Sequence, residues 1–285
     1  KKKQSLDKKK KVYATIDQLD KKVEQLDLAF GISNNNIYFF NKAYWEKIDE
    51  ERFKCFLAKV ANKLGLYQHE VEYHKFKDDL YYQFCSRPHL EFKNKHEDVV
   101  KINFKNGTLH IENGDCKLKE FNRHDYINYQ LSYNYDEEAT CPKFDNFFDD
   151  VVSEIELQKI IFEFLGSVLV HNKFIKTEKA LFLYGDGANG KSVVFDIVRA
   201  LIGYNNICNY DLGVLTSNPN ARAELDHALL NYSSEVSEIK NVDMCKKLIS
   251  GEPVNAKILY KDSFNISDYA RLMFNSNNLP KNIDS

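Results

Sequence analysis

The sequence has no apolar run long enough to suggest a membrane-spanning helix. It also has no recognisable signal peptide, because the lysine-rich N-terminus has no apolar stretch behind it. The first residue is not methionine, so we expect the chain to be a piece of a longer protein. These absences favour a cytoplasmic protein with no membrane partner.

Paired cysteines are also missing, since the six cysteines are scattered and no two are spaced as C-x-x-C. We therefore expect no zinc site and take a reduced intracellular setting as the simpler interpretation. The histidines His69, His74 and His89 show no ligand spacing either. The formal net charge is only −2, so any nucleic-acid site must be a local patch of positive charge.

Apolar residues are plentiful, and at 43% of the sequence they can build a substantial core. The length of 285 residues allows two or three domains. We divide the chain into a basic tail with an amphipathic helix, an α+β, mainly helical module, and an α/β core. These three segments cover residues 1–30, 31–172 and 173–285.

The stretch at residues 185–192, Gly-Asp-Gly-Ala-Asn-Gly-Lys-Ser, fits the phosphate-loop pattern G-x-x-x-x-G-K-[ST] at every fixed position. An apolar run at 180–184 precedes it, as expected of a parallel strand buried on both faces. A helical apolar pattern follows and stops at Gly203; its members are Val194, Ile197, Val198 and Leu201. This order favours a nucleotide site over an ordinary glycine-rich turn.

The chemistry of such a loop follows from its backbone. Glycines let the N–H groups wrap a polyphosphate, and the helix N-terminus adds positive potential. Lys191 can reach the β- and γ-phosphates, and the Ser192 hydroxyl can bind Mg²⁺. The sequence thus predicts ATP and Mg²⁺ as cofactors, held by Gly185, Gly187, Ala188, Asn189, Gly190, Lys191 and Ser192.

Two further apolar runs end in polar residues that ATP hydrolysis would need. The run 229–234 leads to Glu235, our first choice for polarising water and supporting Mg²⁺, with Glu238 as the second. The alternative is that Glu235 is an exposed helix residue, and the sequence pattern does not decide between these two interpretations. The run 270–274 leads to asparagines, one of which could position water; an asparagine-rich turn before Pro280 is the alternative.

A basic stretch with an aromatic residue lies between these runs. Lys247 precedes Leu-Ile-Ser-Gly, while Lys257, Tyr260 and Lys261 surround an apolar pair. A hairpin that presents these side chains suits a nucleic acid, with the cations on phosphates and the ring free to stack. An ordinary solvated hairpin is the alternative.

The region before the phosphate loop is predicted as helices and a small β-meander. We expect residues 1–11 to be a solvated tail rather than a DNA-binding arm. Trp45 is interpreted as a core anchor rather than a base-stacking residue. Ser153 is expected to begin a capping box, with Leu157 and Ile160 on the buried side of the helix that follows. Other expected elements are a packed helix at 16–26, a turn at 31–36, helices at 53–64 and 66–84, and strands at 37–40, 100–111 and 129–135.

The ordered set of motifs resembles the superfamily III helicases, specifically the helicase half of the poxvirus and phage or plasmid primase–helicases. The phosphate loop is common to many ATPases. Two downstream elements make the resemblance specific to this family: Lys247-x-x-Ser250-Gly251 and Asn277-x-x-Pro280. The region before the core also looks like the family's associated N-terminal module, so the resemblance covers roughly residues 30–285.

The resemblance implies an AAA+-like P-loop core with a central parallel sheet and a DNA helicase activity in viral, phage or mobile-element replication. It assigns Lys191 and Ser192 to phosphate and Mg²⁺, Glu235 to the second motif acid and Asn277 to the sensor. It places Lys247, Lys257 and Lys261 in the DNA-contacting elements. Family members form rings, usually hexamers, so the implied partners are single-stranded DNA or a replication fork, further copies of the chain and a primase domain.

Two departures from the family pattern affect these expectations. Ser234 stands where the family often has a second acid, which keeps Glu238 as a candidate for Mg²⁺ support. The family's arginine finger and C-terminal DNA-binding domain would lie beyond Ser285, so we expect this chain alone to bind ATP but hydrolyse it poorly. Two other interpretations stay open: a P-loop ATPase switch that acts on proteins, and a non-catalytic, oligomerising DNA-binding fragment.

Overall fold

The structure, a computed structural model, describes residues 7–33, 36–87, 99–187, 189–259 and 262–277. These residues form two compact units: one holds 7–87 and 120–130, and the other holds 99–119 and 131–277. The predicted site residues Ala188, Tyr260 and Lys261 lie outside the described residues, as does His89. Within the described ranges, no helix has both the length and the apolar character needed to cross a lipid bilayer.

The first unit packs helices against a small antiparallel sheet of order β1-β2-β3. Its core includes the fully buried side chains of Ile16, Leu57, Leu80 and Phe84. Helix α1 packs against this core, as its amphipathic pattern predicts. The elements are α1 (Lys8–Gln25), β1 (Ala29–Ser33), β2 (Asn36–Phe40), β3 (Trp45–Ile48), α2 (Glu50–Lys63), α3 (Gln68–Val71) and α4 (His74–Cys85).

Three local predictions for this unit need correction. Residues 8–11 belong to α1 rather than to a solvated tail, because the helix is anchored there: Lys8 pairs with Asp79 and Lys11 with Glu70. The turn expected at 31–36 has bounds that are too wide: the chain reverses within this range, but β1 continues to Ser33 and β2 already begins at Asn36. The single helix expected at 66–84 is two helices, α3 and α4.

Trp45 is a core anchor, as predicted. Its side chain is buried, and its indole Nε1–H donates to the carbonyl of Arg123 at 2.8 Å. The ring also stacks on Tyr126. This burial leaves the indole no free face for a nucleic-acid base.

The second unit begins with the predicted β-meander, of order β4-β5-β6. Both hairpins signalled by an Asn-Gly pair form: Asn113-Gly114 is the loop of the second, but the loop of the first is Lys105-Asn106, because Gly107 is already paired in β5. The strand expected at 129–135 does not form; that segment follows β4 through hydrogen bonds of Leu131 N–H to Asn103 O and of Lys105 N–H to Tyr133 O. The strands are β4 (Val100–Phe104), β5 (Gly107–Glu112) and β6 (Asp115–Lys119).

Two helices, α5 (Pro142–Val151) and α6 (Ile155–Val168), follow the meander. The capping box expected at Ser153 is wrong, because α6 starts at Ile155 and its N-cap residue Glu154 makes no side-chain cap. Leu157 and Ile160 are exposed rather than buried, since the buried stripe of α6 begins one turn later, at Ile161.

The remaining elements build an α/β core around a four-stranded sheet, which confirms the predicted class. Its order is β7-β12-β9-β8, and every neighbouring pair is parallel. The elements are β7 (Leu181–Tyr184), α7 (Lys191–Ile202), β8 (Ile207–Cys208), α8 (Leu212–Ser217), α9 (Pro219–Leu225), β9 (Leu230–Ser233), α10 (Val242–Ser250), β10 (Val254–Lys257), β11 (Ser263–Ile266) and β12 (Arg271–Ser276).

Helices cover both faces of this sheet. Tyr232 and Met273 face α5, α6 and α7 on one side, while Leu272 and Phe274 face α8, α9 and α10 on the other. All six residues of β12 are therefore buried. Strand β7 was expected to be buried on both faces but is only partly buried, because it lies at the edge of the four strands.

Candidate nucleotide-binding site

The predicted phosphate loop begins beside the end of β12, where Gly185 N–H donates to the carbonyl of Ser276 at 3.4 Å. Two of its glycines have backbone conformations that other L-residues rarely adopt. Gly185 has φ 155°, and Gly190, the N-cap of α7, has φ 83°. The chain can therefore make this turn from β7 into α7 only because glycine stands at these positions.

Close packing around the loop also favours glycine at these two positions. A Cβ atom at Gly190 would lie 2.8 Å from Cγ1 of Val151 and 3.7 Å from the ring of Phe147, both on α5. A Cβ atom at Gly185 would collide with the amide group of Asn189. The end of α5 thus covers one side of the loop, a contact that the motif itself does not reveal.

Lys191 lies in the first turn of α7 with its ammonium group turned into the loop. The Nζ atom donates to the carbonyl oxygens of Gly185 at 2.7 Å and Asp186 at 2.8 Å, and to Oδ1 of Asn189 at 2.9 Å. The loop therefore encloses a fixed positive charge, as a polyphosphate site requires. Ser192 follows in the same turn with its side chain exposed.

Three strand ends bring the other predicted residues to the same edge of the sheet. Because β7, β12 and β9 are adjacent and parallel, their carboxyl ends lie side by side. The phosphate loop follows β7, Asn277 follows β12, and Glu235 stands two residues beyond β9. Both Asn277 and Glu235 are exposed. Glu235 is thus a residue at a strand end, and the helical alternative is wrong.

A short turn holds Glu235 close to its strand. The Ser233 hydroxyl accepts from the Glu235 N–H at 3.3 Å and donates to the Glu235 carbonyl at 2.8 Å. Both contacts use the backbone of Glu235, so its carboxylate is left available. Glu238, three residues further, is also exposed.

The donor set fits Mg²⁺ bound together with a nucleotide. Mg²⁺ usually takes one or two protein ligands and completes its shell with phosphate oxygens and water. One hydroxyl, from Ser192, and one carboxylate, from Glu235, would satisfy that requirement. Across the described ranges, no group of three or more His, Cys, Asp or Glu side chains forms a metal cage of its own.

A family model described as D5 N terminal like matches residues 7–153, just over half of the chain. The chain belongs to this family. The match supports the resemblance to phage and viral primase–helicases. A second model, for a family of unknown function (DUF5906), matches residues 183–285 and so includes the phosphate loop. No curated protein matches the chain at a significant level.

Solved structures share the fold of this D5 N-terminal-like protein. The apo structure of the NrS-1 C terminal region has a TM-score of 0.55 at 13% identity, and its A form has 0.54 at 12%. Each match covers 90% of this chain and 56% of the other. The chain therefore spans a little over half the length of the structures that it matches, and at this identity the likeness shows the fold alone.

The predicted DNA-contacting lysines lie on elements outside the four-stranded sheet. Lys247 is exposed on α10, which ends at Gly251 with φ 72°, and this explains the Ser-Gly that closes the motif. Lys257 is exposed at the end of β10, which pairs antiparallel with β11. The predicted hairpin is therefore confirmed, and Lys257 lies where its tip begins.

Sequence reasoning missed a hydrogen-bonded link beneath the sheet edge. Asn275 on β12 is 5% exposed, and its Nδ2 donates to the Tyr232 hydroxyl on β9. The Tyr232 ring stacks on Phe195 of α7 with ring centroids 3.3 Å apart. Burial, followed by the nearby carboxylate of Asp196, raises the pKa of Tyr232 to about 12, so its hydroxyl stays neutral. These contacts connect α7, the helix after the predicted phosphate loop, to β9 and, through β9, to β12.

Removing this hydroxyl should destabilise the core. Tyr232→Phe leaves the buried Asn275 amide without its acceptor, and we expect a loss of about 1–3 kcal/mol in the free energy of unfolding. Urea denaturation followed by circular dichroism measures it, with Tyr13→Phe on an exposed site of α1 as the control. Equal unfolding curves for Tyr232→Phe and the unsubstituted chain would contradict the link.

Sequence reasoning also missed Asp211, which caps α8 and touches the segment after β9. Its carboxylate accepts from Gly213 N–H at 2.8 Å and from Ser237 N–H at 2.6 Å. An Asp directly before an apolar helical run is a recognisable helix-start signal. The bond to Ser237 has no such signal, because the two residues are distant in sequence.

Proposed function

We propose that this chain is the ATP-dependent DNA helicase core of a viral, phage or mobile-element replication protein. One observation carries the proposal: β12 lies between β7 and β9, so the phosphate loop, Asn277 and Glu235 share one edge of the sheet. Open α/β sheets bind ligands outside the carboxyl ends of their strands. A polyphosphate on the loop would there meet a sensor amide and a carboxylate from the two neighbouring strands.

The proposed reaction transfers the terminal phosphoryl group of ATP to water. Backbone N–H groups of the loop and the Lys191 ammonium hold the phosphates and offset their charge. Ser192 and Glu235 would hold Mg²⁺, which neutralises charge on the transferred group. Glu235 polarises the attacking water, and Asn277 orients it. Each role uses a group at the same sheet edge.

We also propose that this core is AAA+-like and works as part of a ring. The hairpin β10–β11 with exposed Lys257, and exposed Lys247 on α10, supply cations for DNA phosphates. Tyr260 and Lys261, which lie outside the described residues, are the other DNA contacts that the sequence predicts. The family match over residues 7–153 supports an N-terminal module of primase–helicase type before this core. A hexamer around single-stranded DNA is the assembly that the resemblance implies.

The test measures whether the ATP site and a DNA site are coupled. We expect single-stranded DNA to tighten Mg·ATP binding by about 5–150-fold, because linkage between two binding sites acts in both directions. Stimulation of turnover by DNA is a separate expectation of the helicase assignment. Lys247→Ala combined with Lys257→Ala should remove the DNA effect and leave ATP affinity in the absence of DNA unchanged. Lys179→Ala, an exposed lysine before β7, is the control for lost charge.

Two results would overturn the helicase assignment. ATP binding and turnover that ignore DNA would point to an ATPase switch that acts on protein partners. DNA binding without any ATP binding would point to a non-catalytic, oligomerising fragment.

A further inference from the structure

One carboxylate joins the start of α8 to the segment that follows β9. Oδ1 of Asp211 accepts from Gly213 N–H at 2.8 Å and from Val214 N–H at 3.3 Å, which is an ordinary helix N-cap. The same side chain accepts from the Ser237 N–H at 2.6 Å and from the Ser237 hydroxyl. A cap needs only the first pair of bonds, so the second pair calls for another explanation.

Gly213 brings the two segments into direct contact. A Cβ atom there would lie 2.6 Å from the carbonyl oxygen of Glu238 and would collide with the Ser237 hydroxyl. The Gly213 backbone is not in the left-handed region, so the demand for glycine comes from the close approach alone. Because a backbone atom blocks the space, any side chain at this position must displace the segment 234–238.

The α8 side of this contact is held in place by buried side chains. Leu212 and Leu215, on either side of Gly213, are fully buried in the core beneath the sheet. The segment that it holds carries both candidate acids: Ser237 stands two residues after Glu235 and directly before Glu238. Catalytic groups must be held within about 0.5 Å of their working position, and exposed loops reach that precision only through such supports.

We propose that Asp211 and Gly213 are positioning residues that fix the acid-bearing segment 234–238, through Ser237, for the reaction. This inference rests on the proposed function. It gives α8 a part in catalysis although neither residue belongs to the phosphate loop, the second motif or the sensor. Fixing the segment lowers the freedom of the Glu235 carboxylate before nucleotide binds.

The test separates positioning from capping with matched variants of the full chain. Asp211→Ser keeps one oxygen to cap α8 but loses Oδ2, the oxygen that accepts from the Ser237 N–H. Gly213→Ala keeps the Asp211 carboxylate, although its Cβ would lie 3.1 Å from Oδ1, and displaces the segment through the Glu238 carbonyl. Asn218→Ala is the control, because it removes the cap of α9, whose bond to Asn220 N–H stays within its own helix.

We expect Asp211→Ser and Gly213→Ala each to lower kcat for ATP about 10-fold, with Mg·ATP affinity within about 2-fold. Amide hydrogen exchange at 234–238 should become faster in both variants. Asn218→Ala should lower the melting temperature but leave kcat and that exchange unchanged.

Three outcomes would contradict the inference, and the measurements distinguish them. Unchanged kcat in both variants, with an active parent chain, would overturn the positioning role alone. A parent chain that binds no ATP would overturn the proposed function and this inference with it. A kcat loss in Asn218→Ala equal to that of the two variants would also refute positioning, because general destabilisation would then explain the effect.

Discussion

Replacing Lys191 with alanine is expected to weaken Mg·ATP binding by about 100-fold or more, because two or more charge-assisted hydrogen bonds to phosphate would be lost. The ammonium already lies inside the loop, within 2.9 Å of three of its oxygen atoms. A phosphate that enters the loop would replace those oxygens with stronger acceptors. Alanine removes the charge from the centre of the site and leaves the phosphates without their cation.

The contacts of Lys191 in the free chain require a careful control. Alanine also removes three hydrogen bonds that the loop makes to itself, so the loop could lose order as well as charge. Lys191→Arg keeps the charge but has a planar, forked head in place of a compact one, and should bind poorly while unfolding like the parent. Lys179→Ala makes the same charge change outside the loop and should bind normally.

Isothermal titration with Mg·ATP, beside thermal unfolding, measures this result. Unchanged affinity in a folded Lys191→Ala chain would refute the assignment of residues 185–192 as a nucleotide site. Weak binding by Lys179→Ala would likewise show that total charge, rather than the loop, governs affinity.

Local signals made the elements on either side of the predicted phosphate loop predictable. The strand β7, the helix α7 and the stop at Gly203 are each encoded within a few residues, and the structure confirms all three. The burial of individual side chains was less predictable. Leu201 was expected on the buried face of α7 but is 45% exposed, whereas Ile202 is 5% exposed. Neighbouring elements decide such details, and a helical period cannot show where they lie.

Strand order is beyond the reach of local patterns. The sequence predicts three apolar runs with polar ends, but it does not say that β12 lies between β7 and β9. That order depends on the path of the crossover segments and on packing at both faces of the sheet. The sequence therefore predicts a set of candidate site residues, but it does not predict how they are arranged.

Long-range pairings were missed for the same reason. Trp45 was recognisable as a core anchor, yet its partner, the Arg123 carbonyl, follows no local rule. The bonds of Asp211 to Ser237 and of Asn275 to Tyr232 also join distant parts of the sequence. A polar residue inside or beside an apolar run was the available signal, and each of the last two pairs contains one, Asp211 and Asn275.

Replacing Glu235 with glutamine is expected to lower the rate of ATP hydrolysis by about 10²–10³-fold, because the group that polarises water is lost. The substitution is conservative at this position. Glutamine has the size of glutamate, and the bonds from Ser233 use only the backbone of residue 235. The turn after β9 should therefore survive, and Mg·ATP affinity should change by no more than a few-fold.

Single-turnover hydrolysis with enzyme in excess and single-stranded DNA present measures the effect, and Glu238→Gln is the matched variant. Both residues are exposed acids on one segment, so the pair changes charge equally and differs only in position. A larger loss in Glu238→Gln would transfer the acid role to that residue, as the serine at position 234 leaves open. Equal rates in both variants and the parent would show that neither acid serves the reaction, and hydrolysis at this sheet edge would then have to be abandoned.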